Sequence, residues 1–281
     1  MPLNIKKRIQ LGTKRIILTA ALLCFTTYNS LAQKWSRGGG LSNEIGFTIG
    51  SVHFNTDYGQ RYDAESNFGN VNVGVGIVHY LTFVDYRYRW NQRTNWFRNH
   101  FRFRNEISYF SAKLEHAGEY VEEVTDPSVQ RQKLQAMHGE AKNFNVGTQL
   151  EYHLLNITKF GSRRSKKMLL SPYASLGIMF SHTSPSLFSD YDDGDWESNP
   201  DILYAKWAED GAVDVEGGWV GSATFSGGTR IRIADYSDIF IEAKWQYFFD
   251  DTVDGLDADD DSNKFNDWTT YFHVGYCFYL N

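Results

Sequence analysis

The sequence has few cysteines and no long apolar run after its first residues. Only 2 of its 281 residues are Cys. Cys24 lies in an apolar leader, which leaves Cys277 without a partner and excludes a disulfide framework for the rest. A membrane-spanning helix needs about 20 apolar residues, and no stretch after the leader provides them. The mean hydropathy of −0.46 would ordinarily indicate a soluble protein.

A net positive charge is also lacking outside the leader. The net charge of −6 becomes −11 once the five basic residues of the leader are removed, since the leader has no acidic residue. A chain this acidic lacks the basic surface that holds a phosphate backbone. We therefore expect no nucleic-acid partner.

The first 32 residues have the three parts of a secretory signal peptide. Lys6, Lys7, Arg8, Lys14 and Arg15 precede an apolar segment at 16–25, and Ser30-Leu31-Ala32 forms a small-residue cleavage site. An uncleaved anchor would need a longer apolar run, and a lipoprotein site at Cys24 would need small neighbours. We predict a signal peptide at 1–32 and a single mature domain at 33–281.

The mature chain shows a period of two, in segments of about ten residues. In the clearest one, 142–154, apolar Phe144, Val146 and Leu150 alternate with polar Asn143, Asn145 and Gln149. About eight such segments occur, at 44–49, 71–83, 101–114, 142–154, 170–180, 219–233, 239–248 and 268–280. About ten residues is the length of a tilted strand that crosses a bilayer.

A soluble sandwich would also alternate, but its polar face would collect Lys and Glu. Here that face is mostly Gly, Ser, Thr and Asn, which suits a crowded interior. Aromatic residues make up 16% of the chain, and Trp and Tyr gather at segment ends, as interfacial girdles do. We predict an all-β fold: a transmembrane antiparallel up-and-down β-barrel of about eight strands in the outer membrane, following a cleaved signal peptide.

Three stretches carry a family resemblance: NFGNVNVGVGIVHYL, NHFRFRNEISYFSAKLEHAGEYV and LQAMHGEAKNFNVGTQLEYHLL. They resemble an uncharacterised family of outer-membrane β-barrels from flavobacteria and other Bacteroidota. The resemblance covers most of the mature chain. It implies a location and a fold, but no activity and no catalytic residue.

Charged residues on the polar faces form the candidate site. Strand direction gathers nine of them in one half of the lumen: Glu44, Arg102, Arg104, Glu106, Glu151, Arg230, Arg232, Glu242 and Lys244. An eight-stranded barrel has an interior that side chains can fill, so charges buried there must pair. We interpret the set as a structural plug, with a narrow gated channel as the alternative.

The connections alternate between long and short, and they differ in charge. Two long connections are acidic: Asp190, Asp192, Asp193, Asp195, Glu197 and Asp201 in one, and Asp250, Asp251, Asp254, Asp257, Asp259, Asp260 and Asp261 in the other. Long loops of such barrels face outward. A calcium loop starting at Asp257 would need Gly and Glu where Ser262 and Trp268 stand. We expect solvated carboxylates that hold divalent cations loosely beside lipopolysaccharide.

The short turns are basic instead, at Arg87–Arg93 and Arg163–Lys167. Anionic lipid headgroups or a periplasmic protein would be attracted to them. The closest functional analogy, of fold and location alone, is the small barrel that anchors the type 9 secretion apparatus of Bacteroidota to the outer membrane.

An enzyme acting on lipid is a further alternative. His79, His116, His153 and His273 lie on or beside predicted strands near several serines, but no spacing pairs them into a triad. Our prediction is a non-enzymatic barrel that needs no cofactor. It would act as a structural, scaffold or surface-binding protein, with outer-membrane lipid, lipopolysaccharide or an envelope protein as its partner.

Overall fold

The protein is a closed barrel of eight antiparallel strands in sequence order. A computed structural model describes residues 42–58, 71–83, 95–118, 121, 128–157, 170–209, 211–234, 236–257 and 266–280. The strands are β1 (Ser42–Asn55), β2 (Val71–Thr82), β3 (Phe101–Glu115), β4 (Met137–His153), β5 (Leu170–Ser189), β6 (Gly218–Ala234), β7 (Ser237–Phe248) and β8 (Trp268–Tyr279). Pairing of β1 with β8 closes the sheet and confirms the predicted fold class. The predicted signal peptide lies outside the described residues.

The two faces of each strand are the reverse of those in a soluble barrel. Outward positions such as Phe47, Ile77 and Phe180 are exposed apolar side chains. Inward positions such as Glu44, Arg104 and Asn145 are buried and polar. Only a surrounding hydrocarbon phase makes this arrangement favourable, because water would expose the apolar band. Within the described residues, no helix has the length and apolar character needed to cross a membrane.

The barrel has a terminal end, where β1 begins and β8 ends, and an opposite loop end. Three strands project further at the loop end than the sequence predicts, and the first of them, β1, runs to Asn55 rather than to residue 49. β4 begins at Met137 and β5 runs to Ser189, and the register pairs these two residues. Beyond Phe180 the outward positions of β5 change to His182, Ser184 and Ser186. The extra length therefore lies above the apolar band, where strand pairing and loop packing maintain it.

The loops at this end pack around a core of their own, which we call the loop cap. It contains helix α2 (Val129–Ala136) and a 3-10 turn at Pro200–Ile202. Its buried side chains are Val52, Phe54, Tyr58, Ala112, Leu114, Leu134, Met137, Leu187, Leu203, Trp207, Ala212, Val220, Phe248, Val253 and Leu256. The sequence predicted only long connections for part of this region. The cap forms because apolar residues in separate loops have a common place to bury their surface.

A short helix, α1 (Trp96–His100), precedes β3 at the terminal end. The side chain of Asn95 caps it by accepting a hydrogen bond from the Phe97 amide at 3.2 Å. Trp96, Phe97, Phe101 and Tyr152 make ring contacts with centroids 4.7 to 5.9 Å apart. These rings form an aromatic girdle at this edge of the apolar band.

Candidate functional site

Eight of the nine predicted lumen charges lie inside the barrel, and their charged groups meet one another. All eight are buried: Glu44, Arg102, Arg104, Glu106, Glu151, Arg230, Glu242 and Lys244. They divide into two groups along the barrel axis. We call these the lower cluster, toward the terminal end, and the upper cluster, toward the loop end.

The lower cluster is built around Glu44 at the start of β1. Its carboxylate accepts hydrogen bonds from Arg102 at 3.1 Å and from Arg230 at 2.8 Å. Arg230 also donates to Asp238 at 3.0 Å, and Asp238 accepts from the Tyr279 hydroxyl at 2.7 Å. The cluster therefore joins strands on opposite sides of the barrel.

The upper cluster is built around Arg104 on β3. Its guanidinium lies 2.6 Å from Glu242, 2.8 Å from Glu106 and 3.6 Å from Glu151. Lys244 forms a further ion pair with Glu106. Arg104 thus contacts three carboxylates from three strands, which is how a buried guanidinium offsets its desolvation.

Two aromatic rings separate the clusters. The Tyr80 ring lies between the guanidinium groups of Arg104 and Arg230, at 5.9 and 4.6 Å from its centroid. Phe240 packs edge-on against Tyr80 at 6.2 Å. The Phe240 ring occupies the space beside Gly275, its register partner, where an added Cβ would overlap it. A filled layer of this kind closes the lumen between the two sets of charges.

Arg232 is the exception, because it lies at the terminal mouth of the lumen rather than among the buried clusters. It is only half-buried, and its Nε donates to the Ala234 carbonyl at 3.2 Å, at the terminal edge of the barrel. The register of β6 with β7 shifts between Arg232 and Ala234. The shift comes after Arg232, which still pairs with the inward Asp238, so Arg232 keeps the inward side of the alternation at the edge of the lumen.

Asp238 is the lumen charge that the sequence analysis missed, because the predicted segment began one residue later, at 239. It precedes Phe240, Glu242, Lys244 and Gln246 at a spacing of two, and that continued alternation was the available signal. With Asp238 included, the described lumen clusters contain five carboxyl groups and four cationic side chains. Tyr173 also faces inward, and its hydroxyl donates to Glu242 at 2.6 Å.

Above the charges lies a layer of amides and hydroxyls. Gln246 donates to Asn145, Ser181 and Ser222 at 2.9 to 3.2 Å. Next toward the loop end, Phe110 and Tyr271 pack at 4.8 Å and join the core of the loop cap. Charged, polar and apolar layers therefore fill the lumen in succession.

The four histidines that were weighed as catalytic residues lie in different places. His79 faces outward, His116 packs on Tyr58 in the cap at 4.5 Å, and His153 and His273 face the lumen. Burial in the cap lowers the pKa of His116 to about 3.

His153 is the centre of a hydrogen-bonded group of three side chains that spacing along the sequence did not reveal. One ring nitrogen lies 2.9 Å from the Ser171 hydroxyl, and the other lies 3.2 Å from the Glu151 carboxylate. The order of groups matches a nucleophile, base and acid. A nucleophile must reach its substrate, however, and Ser171 is only 1% exposed. In this conformation the three hydrogen-bonded side chains link β4 to β5 inside the closed lumen.

One residue of the predicted acidic loops is not solvated. Asp254 is buried in the loop cap and accepts hydrogen bonds from the amides of Asp57 at 3.0 Å and Leu256 at 2.9 Å. Asp267 is buried beside it and accepts from the Asp254 amide. Burial raises the pKa of both Asp254 and Asp267, and the neighbouring carboxylates, Asp57 among them, raise it further. Asp259, Asp260 and Asp261 lie outside the described residues.

This carboxyl cluster predicts a loop cap that loosens as the pH rises. A folded-state pKa above the ordinary value makes folding favour the protonated form. The stability is therefore complete below the ordinary pKa of about 3.8 and declines as the pH rises through the raised value. Asn in place of Asp267 avoids the cost of either protonating this buried carboxyl or burying it as a charge, so Asp267→Asn should stabilise the cap at pH 8 by roughly 1 to 3 kcal/mol.

Hydrogen exchange of 251–257, corrected for intrinsic rates, measures this effect. Asp267→Asn should exchange more slowly than the parent protein at pH 8 and equally at pH 4. Asp250→Asn, at an exposed position in the same loop, is the matched control and should change neither. Faster exchange in Asp267→Asn at pH 8 would contradict the pKa assignment.

The class of protein follows from four features: the closed sheet, the outward apolar band, the aromatic girdle and the filled polar lumen. The chain is a small eight-stranded β-barrel of the outer membrane, because this inverted arrangement is stable only when lipid surrounds it.

No family model matches the chain, and no curated protein matches it. Among solved structures, the chain is similar to Neisserial surface protein A, at 10% identity and a TM-score of 0.41 over 85% of this chain and 98% of that one. It is also similar to a major outer membrane protein of Thermus thermophilus, at 8% identity and 0.43 over 85% and 99%. OprG of Pseudomonas aeruginosa gives 11% identity and 0.36 over 85% and 96%. Values this low carry no argument about role, so the class depends on the barrel itself.

Proposed function

We propose that this barrel is a non-enzymatic surface-binding protein whose ordered, acidic loop cap contacts a basic partner surface outside the membrane. The observation that carries the proposal is the combination of a filled lumen with loops that have their own core. A barrel of this kind has little interior space for transport, and it presents a fixed surface at one end.

The order of the cap comes from contacts between separate loops. Asp214 and Asp257 donate their amides to the carbonyls of Gly255 and Ala212, at 3.0 and 2.9 Å. The Trp196 indole donates to the Leu187 carbonyl on β5 at 3.0 Å. These bonds surround the buried side chains of Trp207 and Leu256. A preorganised surface loses less entropy on binding than mobile loops do.

The charge of the cap indicates the chemistry of its partner. Its described exposed acidic residues are Glu115, Asp190, Asp192, Asp193, Asp195, Glu197, Asp201, Glu209, Asp214, Glu216, Asp250 and Asp257. Fewer cations accompany them, among them Lys113, Lys133 and Lys206. An acidic surface accelerates and selects encounters with basic ones, and salt screens the attraction. Divalent cations could equally bridge the cap to lipopolysaccharide phosphates, as the sequence suggested.

The alternative of a gated channel has less support. The side chains of Arg102, Arg104, Arg230 and Lys244 are fully buried, so the two charged clusters leave no water-filled passage among the described residues of the lumen. Opening it would require several buried ion pairs to separate together, and each is costly to break.

Docking at the terminal end is a second part of the proposal. The basic turns Arg87–Arg93 and Arg163–Lys167 lie outside the described residues. A periplasmic partner there, as in a secretion or envelope complex, stays a prediction. Crosslinking that locates partner peptides at one end or the other distinguishes the two surfaces.

The test is affinity purification after crosslinking in intact cells, with a cap-neutralised variant: Asp192→Asn, Glu197→Gln, Asp201→Asn and Glu209→Gln. Partner recovery should fall about tenfold, because four exposed pairs at roughly 0.3 to 0.5 kcal/mol each contribute about one to two kcal/mol. Lys113→Gln is the control, since it neutralises an exposed cap charge of the opposite sign and should not reduce recovery. Equal recovery of partners by the cap-neutralised variant and the parent would overturn the proposal.

A further inference from the structure

Four polar side chains lie on the outward face of β1 to β4, where lipid is expected. They are Asn43, His79, Asn105 and Thr148, one on each of four adjacent strands. The register pairs His79 with Asn105 and Asn105 with Thr148, and Asn43 lies diagonal to His79. They form a continuous row, which we call the polar row.

The polar row lies within the apolar band rather than at its edge. On β3, Asn105 has Phe103 and Ile107 as its outward neighbours, with Phe101 of the girdle beyond and Tyr109 on the other side. On β2, His79 lies between Ile77 and Leu81. On both strands the row is therefore flanked by apolar residues toward both ends of the barrel.

The remaining wall of the barrel has no comparable feature. Its outward positions in the band fall within 170–180 of β5, 223–233 of β6, 239–247 of β7 and 272–278 of β8. In these described stretches the outward residues include no amide, imidazole or charged side chain. The polar row is therefore confined to one side of the barrel. Such confinement is typical of an interface, whereas a general property of the surface would appear on every side.

The row is only partly satisfied by its own hydrogen bonds. The two ring nitrogens of His79 lie 3.2 Å from Asn43 Oδ1 and 3.3 Å from Asn105 Nδ2. The Thr148 hydroxyl donates to the Arg104 carbonyl at 3.3 Å. His79 and Thr148 are thus occupied, whereas each carboxamide uses one of its groups. Asn105 keeps an acceptor oxygen and an N–H for a partner, and hydrocarbon offers neither.

We propose that a second copy of this chain docks against the polar row to form a symmetric dimer in the membrane. The row is uncharged and carries both hydrogen-bond donors and acceptors. A second copy of the row can therefore satisfy it, whereas a charged partner would find no opposite charge there. A two-fold axis brings the same residues of both copies together, and carboxamides can then pair as donor and acceptor to each other. Apolar Ile77 and Ile107 supply the surrounding contact.

Disulfide crosslinking of the full-length protein in lipid vesicles at a low protein-to-lipid ratio tests the dimer. The natural Cys277 is buried, so introduced cysteines report the outer surface. Ile107→Cys beside the polar row should give a crosslinked dimer. Ile241→Cys, at a similarly exposed position on β7, is the matched control and should give at least tenfold less.

A second pair of changes tests whether the polar groups are the contact. Adding His79→Leu and Asn105→Leu to Ile107→Cys should reduce the crosslinked dimer at least tenfold and leave the folded barrel intact on gel mobility. Equal crosslinking from Ile107→Cys and Ile241→Cys would show random collision and overturn the dimer. A dimer that survives both leucines, or an Ile107→Cys crosslink to a different protein in native membranes, would also overturn it.

Discussion

Replacing Arg104 with Met should cost about 3 to 5 kcal/mol of unfolding free energy, because it leaves buried carboxylates without their shared cation. Glu106, Glu151 and Glu242 all lie within 3.6 Å of this guanidinium. Urea titration of the folded fraction in detergent micelles measures the loss. We expect this to be among the largest effects of any single substitution in the lumen.

Arg232→Met is the matched control, since Arg232 is half-buried at the edge of the barrel. It should change the unfolding free energy by less than about 1 kcal/mol, as exposed charges do. Adding Glu242→Gln to Arg104→Met should recover part of the loss, because it removes one of the uncompensated charges. A loss in Arg104→Met no larger than that in Arg232→Met would contradict the ion-pair cluster.

Replacing Trp207 with Ala should unfold the loop cap while leaving the barrel intact. Trp207 is buried among the side chains of the cap, and a buried Trp truncated to Ala costs about 3 to 5 kcal/mol. The barrel is held by a closed ladder of paired strands, whereas the loops of the cap have no such ladder to compensate for this loss. Limited proteolysis of the protein in vesicles should cut the 190–216 segment at least a hundredfold faster, with the folded gel mobility of the barrel retained.

Trp219→Ala serves as the control for aromatic loss, because Trp219 lies exposed on the outward face of β6. It should leave the cleavage rate of 190–216 within about twofold of the parent. If Trp207→Ala and the parent were cut equally fast, the cap would already be mobile, and the preorganised binding surface would lose its basis.

Buried ion pairs are weak evidence for stability, since apolar side chains of similar volume can replace them at little cost. The lumen clusters have a more specific effect here, because each joins strands that are not neighbours. Arg230 of β6 meets Glu44 of β1, and Arg104 of β3 meets Glu242 of β7. A slip by one residue would turn these charges into the lipid, so the clusters favour one register.

Alternation along the sequence was sufficient to predict the strands and their faces. Side chains of a strand point to opposite sides at every second residue, and that geometry is local. The predicted 71–83 and 239–248 segments match Val71–Thr82 and Ser237–Phe248 to within two residues. Inward placement of eight of the nine charges followed from the same local geometry.

The amino-acid sequence by itself determined an inside-out barrel with charges in its lumen, because period-two patterning and burial are properties of individual strands. Only the tertiary structure decided which charges pair, that Arg232 lies at the half-buried mouth of the lumen, and that loops far apart in the chain share one core. These outcomes depend on how the strands are staggered and on the closure of the barrel, which bring together residues more than a hundred positions apart. No spacing along the chain encodes such contacts.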